Sequence, residues 1–223
     1  MQPALMPLNA VLRPPPWKLQ GDAFIANYWL CPAFIRQAAD FQLAPSPLGR
    51  MVQVVCVRYR ESPVGPYDEL LILDHALLTQ RRLNTIPKIY VSTEISVQHG
   101  QQYWGIPKEL AAFEWHEQNN EIRCTVHFSQ QSMSILFIKQ MNPHVLRISS
   151  NCIPSLLLNI QQDWHNKHYQ FTPQFRGHLS RLASVQWENT QSIFPDFSQA
   201  RYLQGFAVPE FDLTFPEAQI KQK

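Results

Sequence analysis

From Lys88 to Val97 the branched side chains of Ile89, Val91, Thr93, Ile95 and Val97 fall on every second residue. An alternation of that length favours extended backbone with one apolar face, and predicts a strand over the whole run. The same rhythm returns along the chain. Ala23 to Leu30 carries Phe24, Ile25, Tyr28 and Trp29, and Val52, Val54, Cys56 and Val57 form a second run that ends at Arg58-Tyr59-Arg60. The turn residues Ser62 to Pro66 separate it from a strand through Ile72. Phe113 to His116, Ile122 to Phe128 and Met133 to Ile138 continue the series, with Asn119-Asn120 as a hairpin turn. Leu179 to Trp187 and an apolar region from Phe206 through Phe211, Leu213 and Phe215 complete it. Strands so close in sequence pair mainly antiparallel, and their edges have to be hidden by closure or stacking. The fold class expected is therefore α+β, mainly antiparallel β.

Helices are expected to be few. Pro32 suits the first turn of a short helix over Ala33 to Ala39, ended before Pro45-Ser46-Pro47-Leu48-Gly49. The opening is loop-like through Pro14-Pro15-Pro16. Ile153 to Trp164 fits two periods, since Leu156, Leu157 and Ile160 suit a helix while Leu156, Leu158 and Ile160 suit a strand; the expectation is a strand over Ile153 to Gln161.

Hydrophobic residues make up 45% of the chain and charged residues only 16%, enough to fold one sizeable core and sparse in charge for a free monomer. With no internal repeat and no low-complexity segment, residues 1–223 read as a single domain. Lys and Arg total 19 against 17 Asp and Glu, without a basic run, so nucleic acid is not an expected partner. No stretch of about 18 uncharged apolar residues occurs and the start lacks the order of a signal peptide, which predicts a cytoplasmic protein with no membrane partner. Cys31, Cys56, Cys124 and Cys152 are scattered, fitting buried thiols in a reducing compartment.

One segment stands apart from the packing pattern. Tyr103-Trp104-Gly105-Ile106-Pro107-Lys108-Glu109-Leu110-Ala111-Ala112-Phe113 sets a lysine in mostly apolar surroundings behind a glycine and a proline. If Lys108 is enclosed, desolvation penalises its ammonium form and frees a neutral amine able to attack a ketone or aldehyde, which is Schiff-base chemistry. The plainer alternative leaves Lys108 at the surface with its stem over Phe113. Neither a dinucleotide fingerprint, nor a nucleophile elbow, nor a phosphate loop is present, so no cofactor is expected. His165 and His168 lack a third ligand at metal-site spacing, and His99 and His116, which bracket the lysine segment, read as structural; no metal is expected.

These features resemble the acetoacetate decarboxylase family. The resemblance rests on Tyr67-Asp68-Glu69 after a Gly-Pro turn, on Gly100 a short interval before Pro107-Lys108, and on Phe211-Asp212-Leu213-Thr214-Phe215-Pro216-Glu217-Ala218. It extends weakly from about Pro15 to Ile220. It implies a barrel-like or cone-like sheet, a homo-oligomer and a Schiff-base lyase acting on a small carbonyl or β-keto acid substrate. Lys108 falls on the family's Schiff-base lysine and Glu69 on its pocket glutamate; the lysine mechanism comes with the resemblance and not from the residue pattern. Tyr67, Tyr90, Gln101, Gln102, Trp104 and Ile106 are the substrate-binding candidates, with core packing as the alternative for Tyr90, Trp104 and Ile106.

The chain also departs from the family. Glu109 stands where the family has a second lysine, Gln101-Gln102 where it has an arginine-glutamate pair, and the entrance arginine is lost around Gly21. Each change removes charge that would receive a β-keto acid carboxylate, so aldol-type or dehydration chemistry on a neutral carbonyl compound is an alternative to decarboxylation. A non-catalytic small-molecule-binding protein on the same fold is the next reading, and a structural subunit the third.

Overall fold

Most of the runs of alternating side chains become strands, with three helices among the described residues. The computed structural model describes residues 12–75, 83–188 and 193–223. In chain order these are β1 (Trp17–Leu30), α1 (Pro32–Gln37), β2 (Arg50–Glu61), β3 (Tyr67–Asp74), β4 (Thr85–Val91), α2 (Glu94–Trp104), β5 (Lys108–Leu110), β6 (Ala112–Gln118), β7 (Glu121–Phe128), β8 (Gln131–Lys139) and β9 (Val145–Ser149). There follow α3 (Ser155–Leu158), β10 (Ile160–Trp164), β11 (Lys167–Phe171), β12 (Gln174–Glu188), β13 (Arg201–Phe215) and β14 (Gln219–Gln222). The loop expected up to Pro16 is described from Leu12 onward. Pro32 opens α1, where its missing N–H costs nothing.

An 11-stranded sheet runs β5-β4-β3-β2-β1-β13-β12-β8-β7-β6, with β9 beside β12, and β10-β11-β14 form a second sheet. The β4–β5 ladder is parallel and the remaining ladders are antiparallel. The α+β, mainly antiparallel expectation therefore holds, but the barrel-like or cone-like closure does not. The path ends at β5 on one side and β6 on the other, and no ladder joins them, although only Ala111 separates them in the chain. β5 is three residues long and pairs with β4, and the Ala111 N–H goes to the Val91 carbonyl. At the other end β6 exposes Glu114, His116, Glu117 and Gln118, charged and polar side chains that guard an open edge without closure.

Alternation divides the apolar residues between two faces. Phe24, Ala26 and Tyr28 of β1, Val54 and Cys56 of β2, and Leu70 and Ile72 of β3 share one core with Ile122, Cys124 and Val126 of β7 and Met133, Ile135 and Phe137 of β8. On the opposite face Val57, Tyr59, Tyr67, Leu71, Ile89 and Val91 meet Val97 and Trp104 of α2 and Ile160, Tyr169 and Phe171 of the small sheet. Each large apolar side chain so buried contributes about 1.5–3 kcal/mol. All four cysteines are free; Cys56 and Cys124 are buried, whereas Cys31 and Cys152 are exposed.

Two stretches differ from their sequence periods. The strand expected over Lys88 to Val97 ends at Val91, and from Glu94 the chain is helical. Ile95 and Val97 kept the two-residue rhythm by coincidence, while the buried Ser96, Val97, His99, Gly100 and Trp104 lie at helical spacing. Ile153 to Gln161 is likewise not one strand, because Ser155–Leu158 makes a helical turn and β10 starts only at Ile160. Long-range contacts decide this. The Asn84 side chain donates to the Leu157 carbonyl, its backbone N–H to Asn159, and its carbonyl accepts from Gln161.

Candidate active site

Lys108 owes its position to how α2 ends. Gly105 takes the left-handed conformation at φ 62°, its N–H bonds to Gln101 and that of Ile106 to Gly100, closing the last helical turn. Pro107 follows and the chain turns into β5, which sets Lys108 beside Ile89 of β4. The lysine stem then crosses α2 at Gly100. A methyl group there would stand 2.6 Å from Lys108 Cδ and 2.8 Å from Cε, so with any larger residue the stem has to shift from this path.

Beyond Gly100 the ammonium meets a polar cluster inside the second core. Lys108 Nζ donates to Glu69 Oε2 at 2.9 Å and to Ser96 Oγ at 3.1 Å, and lies 5.1 Å from the centre of the Tyr67 ring. The Lys108 and Glu69 side chains are only 6% and 5% exposed, which makes this a buried pair that water does not screen. Tyr59 donates its hydroxyl to Glu69 Oε1 at 3.3 Å. Burial first, and the Glu69 charge second, push the phenols of Tyr59 and Tyr67 well above the usual tyrosine range. Both remain neutral hydroxyl groups at physiological pH. The cluster can therefore hold a cation, take a proton from it through Glu69, and surround the reacting atom with aromatic walls.

Of the residues singled out in the sequence, Lys108, Glu69 and Tyr67 come together. Gln101 reaches the lysine from its other end, donating Nε2 to the Lys108 carbonyl at 3.0 Å. Gln102 is exposed on α2. Trp104 and Ile106 pack in the core on the lysine's face, and Trp104 donates Nε1 to the Pro216 carbonyl. Tyr90 belongs to the opposite core and donates its hydroxyl to the Ile193 carbonyl. Glu109, next to the lysine in sequence, pairs with Lys88 at 2.6 Å, and a cavity of about 860 Å³ is lined by Lys88, Glu109 and Pro107 and not by Lys108. Gly21 pairs with Tyr59 beside an irregularity in the β1–β2 ladder. His99 is buried with both ring nitrogens engaged, by the Ile95 carbonyl and the Arg13 N–H, and His116 is exposed on β6.

Ser96, Tyr59 and the close approach at Gly100 were not foreseen. Ser96 lay inside the run taken for a strand. The signals that locate its helix are Ser92-Thr93-Glu94 at the start and Gly105 followed by Pro107 at the end.

A family model described as acetoacetate decarboxylase matches residues 5–137, a span that includes Glu69, Ser96 and Lys108. Among solved structures, an acetoacetate decarboxylase from Legionella pneumophila subsp. pneumophila str. Philadelphia 1 is 12% identical, with a TM-score of 0.67 over 97% of this chain and 92% of that one. An acetoacetate decarboxylase-like enzyme from Sphingomonas wittichii RW1 is 10% identical, with a TM-score of 0.65 over 95% of each chain. The enduracididine biosynthesis enzyme MppR, in complex with pyruvate, is 14% identical, with a TM-score of 0.62 over 96% of this chain and 93% of that one. At such identities the likeness speaks for the fold. Comparison with curated protein sequences gives no match.

Proposed function

The chain belongs to the acetoacetate decarboxylase family, and on that footing we propose that it is a Schiff-base lyase in which Lys108 is the nucleophile and Glu69 the acid–base partner. The observation that carries this reading is the enclosed Lys108 Nζ, 2.9 Å from a carboxylate that is itself buried. Glu69 takes one proton from the ammonium, and the freed Nζ lone pair attacks the substrate carbonyl carbon. The C=O π pair moves to oxygen, which is protonated. The oxygen leaves as water, carrying in all two protons that began on Nζ, and the iminium keeps one N–H and the positive charge. The cation then draws electrons from an adjacent bond; in a β-keto acid that is the bond to the carboxylate, which leaves as carbon dioxide, and the enamine is reprotonated and hydrolysed.

The substrate class is a small carbonyl compound or β-keto acid. Glu109 does not oppose this chemistry, since it is occupied with Lys88. The experiment is intact-mass analysis after borohydride treatment with acetone, acetaldehyde, pyruvate or acetoacetate. The expected result is one reduced adduct per chain, absent from the Lys108→Met/Glu69→Gln double variant, which removes both charges together. Carbon dioxide release then separates a decarboxylase from an aldolase or dehydratase. No adduct with any of the four compounds would leave the non-catalytic binding reading in its place.

A further inference from the structure

The proposed mechanism keeps one of three N–H bonds on Nζ and loses two, and the site presents two different acceptors to them. Glu69 can accept a proton outright. Ser96 Oγ can only accept a hydrogen bond at neutral pH, because a serine hydroxyl is far too weak a base to hold the proton. Ser96 is fully buried, with its Oγ 3.1 Å from Nζ. It also stands one helical turn from Gly100, the point where the lysine stem crosses α2. A single helix thus holds Lys108 at three levels: Gln101 at its carbonyl, Gly100 at its stem and Ser96 at its nitrogen.

Resting on the Schiff-base reading, we propose that Ser96 is a positioning residue whose Oγ holds the N–H that survives in the iminium, so that the protons that leave Nζ do so toward Glu69. An iminium nitrogen is planar and carries Cε, one hydrogen and the substrate carbon. With its hydrogen kept on Ser96, the substrate carbon comes to lie on the side of Glu69, where the carboxylate exchanges protons with the departing water and with the enamine. Without Ser96 the nitrogen is held by Glu69 alone, and once deprotonated it presents its lone pair to the carbonyl in a smaller fraction of its orientations.

The test is the rate at which borohydride fixes acetone or pyruvate on the protein, followed by mass against carbonyl concentration. For Ser96→Ala the maximal rate is expected to fall about fivefold or more, while the half-saturating carbonyl concentration stays within about threefold. Ser96→Thr restores an oxygen acceptor and is expected to recover most of the rate. A smaller fall in Ser96→Ala overturns the proposal, as does an equal fall in Ser96→Thr with an unchanged melting temperature, which would mark a purely packing role. Should Ser96→Ala not fold, Ser96→Cys, with nearly the same volume and a weak acceptor, is read by the same criteria. An unreactive wild-type protein would instead remove the Schiff-base reading and this proposal with it.

Discussion

At the scale of single residues, the decisive arrangement is a buried charge pair that stands or falls as a unit. Lys108→Met alone leaves Glu69 uncompensated in the core and is expected to cost about 3–5 kcal/mol in chemical denaturation, whereas the Lys108→Met/Glu69→Gln double variant should recover much of that loss. Gly100→Ala is expected to abolish adduct formation while costing about 1–3 kcal/mol, since its methyl group occupies the path of the lysine stem. Glu109→Gln makes the contrasting case. Its partner Lys88 is 18% exposed and Glu109 itself 42%, so stability should change by no more than about 1 kcal/mol and adduct formation at Lys108 by less than about twofold. Part of this cluster was legible in the sequence. The apolar flanks of Lys108 left an enclosed and a surface lysine both open, and Glu69 was marked by the resemblance. Tyr59 and Ser96 were not, since neither has a neighbour in sequence that marks it; they join the site through ladder register and a helix crossing.

At the scale of elements, α2 is what converts a strand edge into a site. Its sequence period misled because β-branched residues at 89, 91, 93, 95 and 97 pass without interruption from strand to helix. The stop signal was more informative than the period: Gly105 in the left-handed region followed by Pro107 is how a helix ends, not how a strand continues. Gly105→Ala is therefore a test of the element. It forces an L-residue to φ 62° and brings a methyl group within 2.5 Å of the Tyr169 ring, so thermal or denaturant unfolding should show a loss of about 2 kcal/mol or more. A change below about 0.5 kcal/mol would mean that α2 ends differently. Ile153 to Gln161 illustrates the other limit of local reading, for the choice between turn and strand was made by Asn84, some 70 residues away in sequence.

At the scale of the whole molecule, the strand-rich composition and antiparallel pairing were legible because period-two runs are local, while closure was not, since it depends on whether β5 and β6 meet. The buried phenols give the molecule a shared alkaline limit. Tyr28, Tyr59, Tyr67 and Tyr90 all have pKa values raised chiefly by burial. A raised folded-state value means that the unfolded chain ionises first, so their stabilising effect is complete below about pH 10 and is lost as pH rises above it. Unfolding free energy should accordingly drop above about pH 10, with tyrosinate absorbance appearing together with loss of secondary structure. Free titration of these phenols in the folded protein would contradict their burial. Peptide mapping after borohydride reduction with a saturating small ketone or keto acid tests the Schiff-base role of Lys108 across the whole chain. The expected result is an adduct on Lys108, with Lys88, which pairs with Glu109 next to Lys108 in sequence, left unmodified. Modification spread over exposed lysines, or centred on Lys88 with Lys108 untouched, would contradict it.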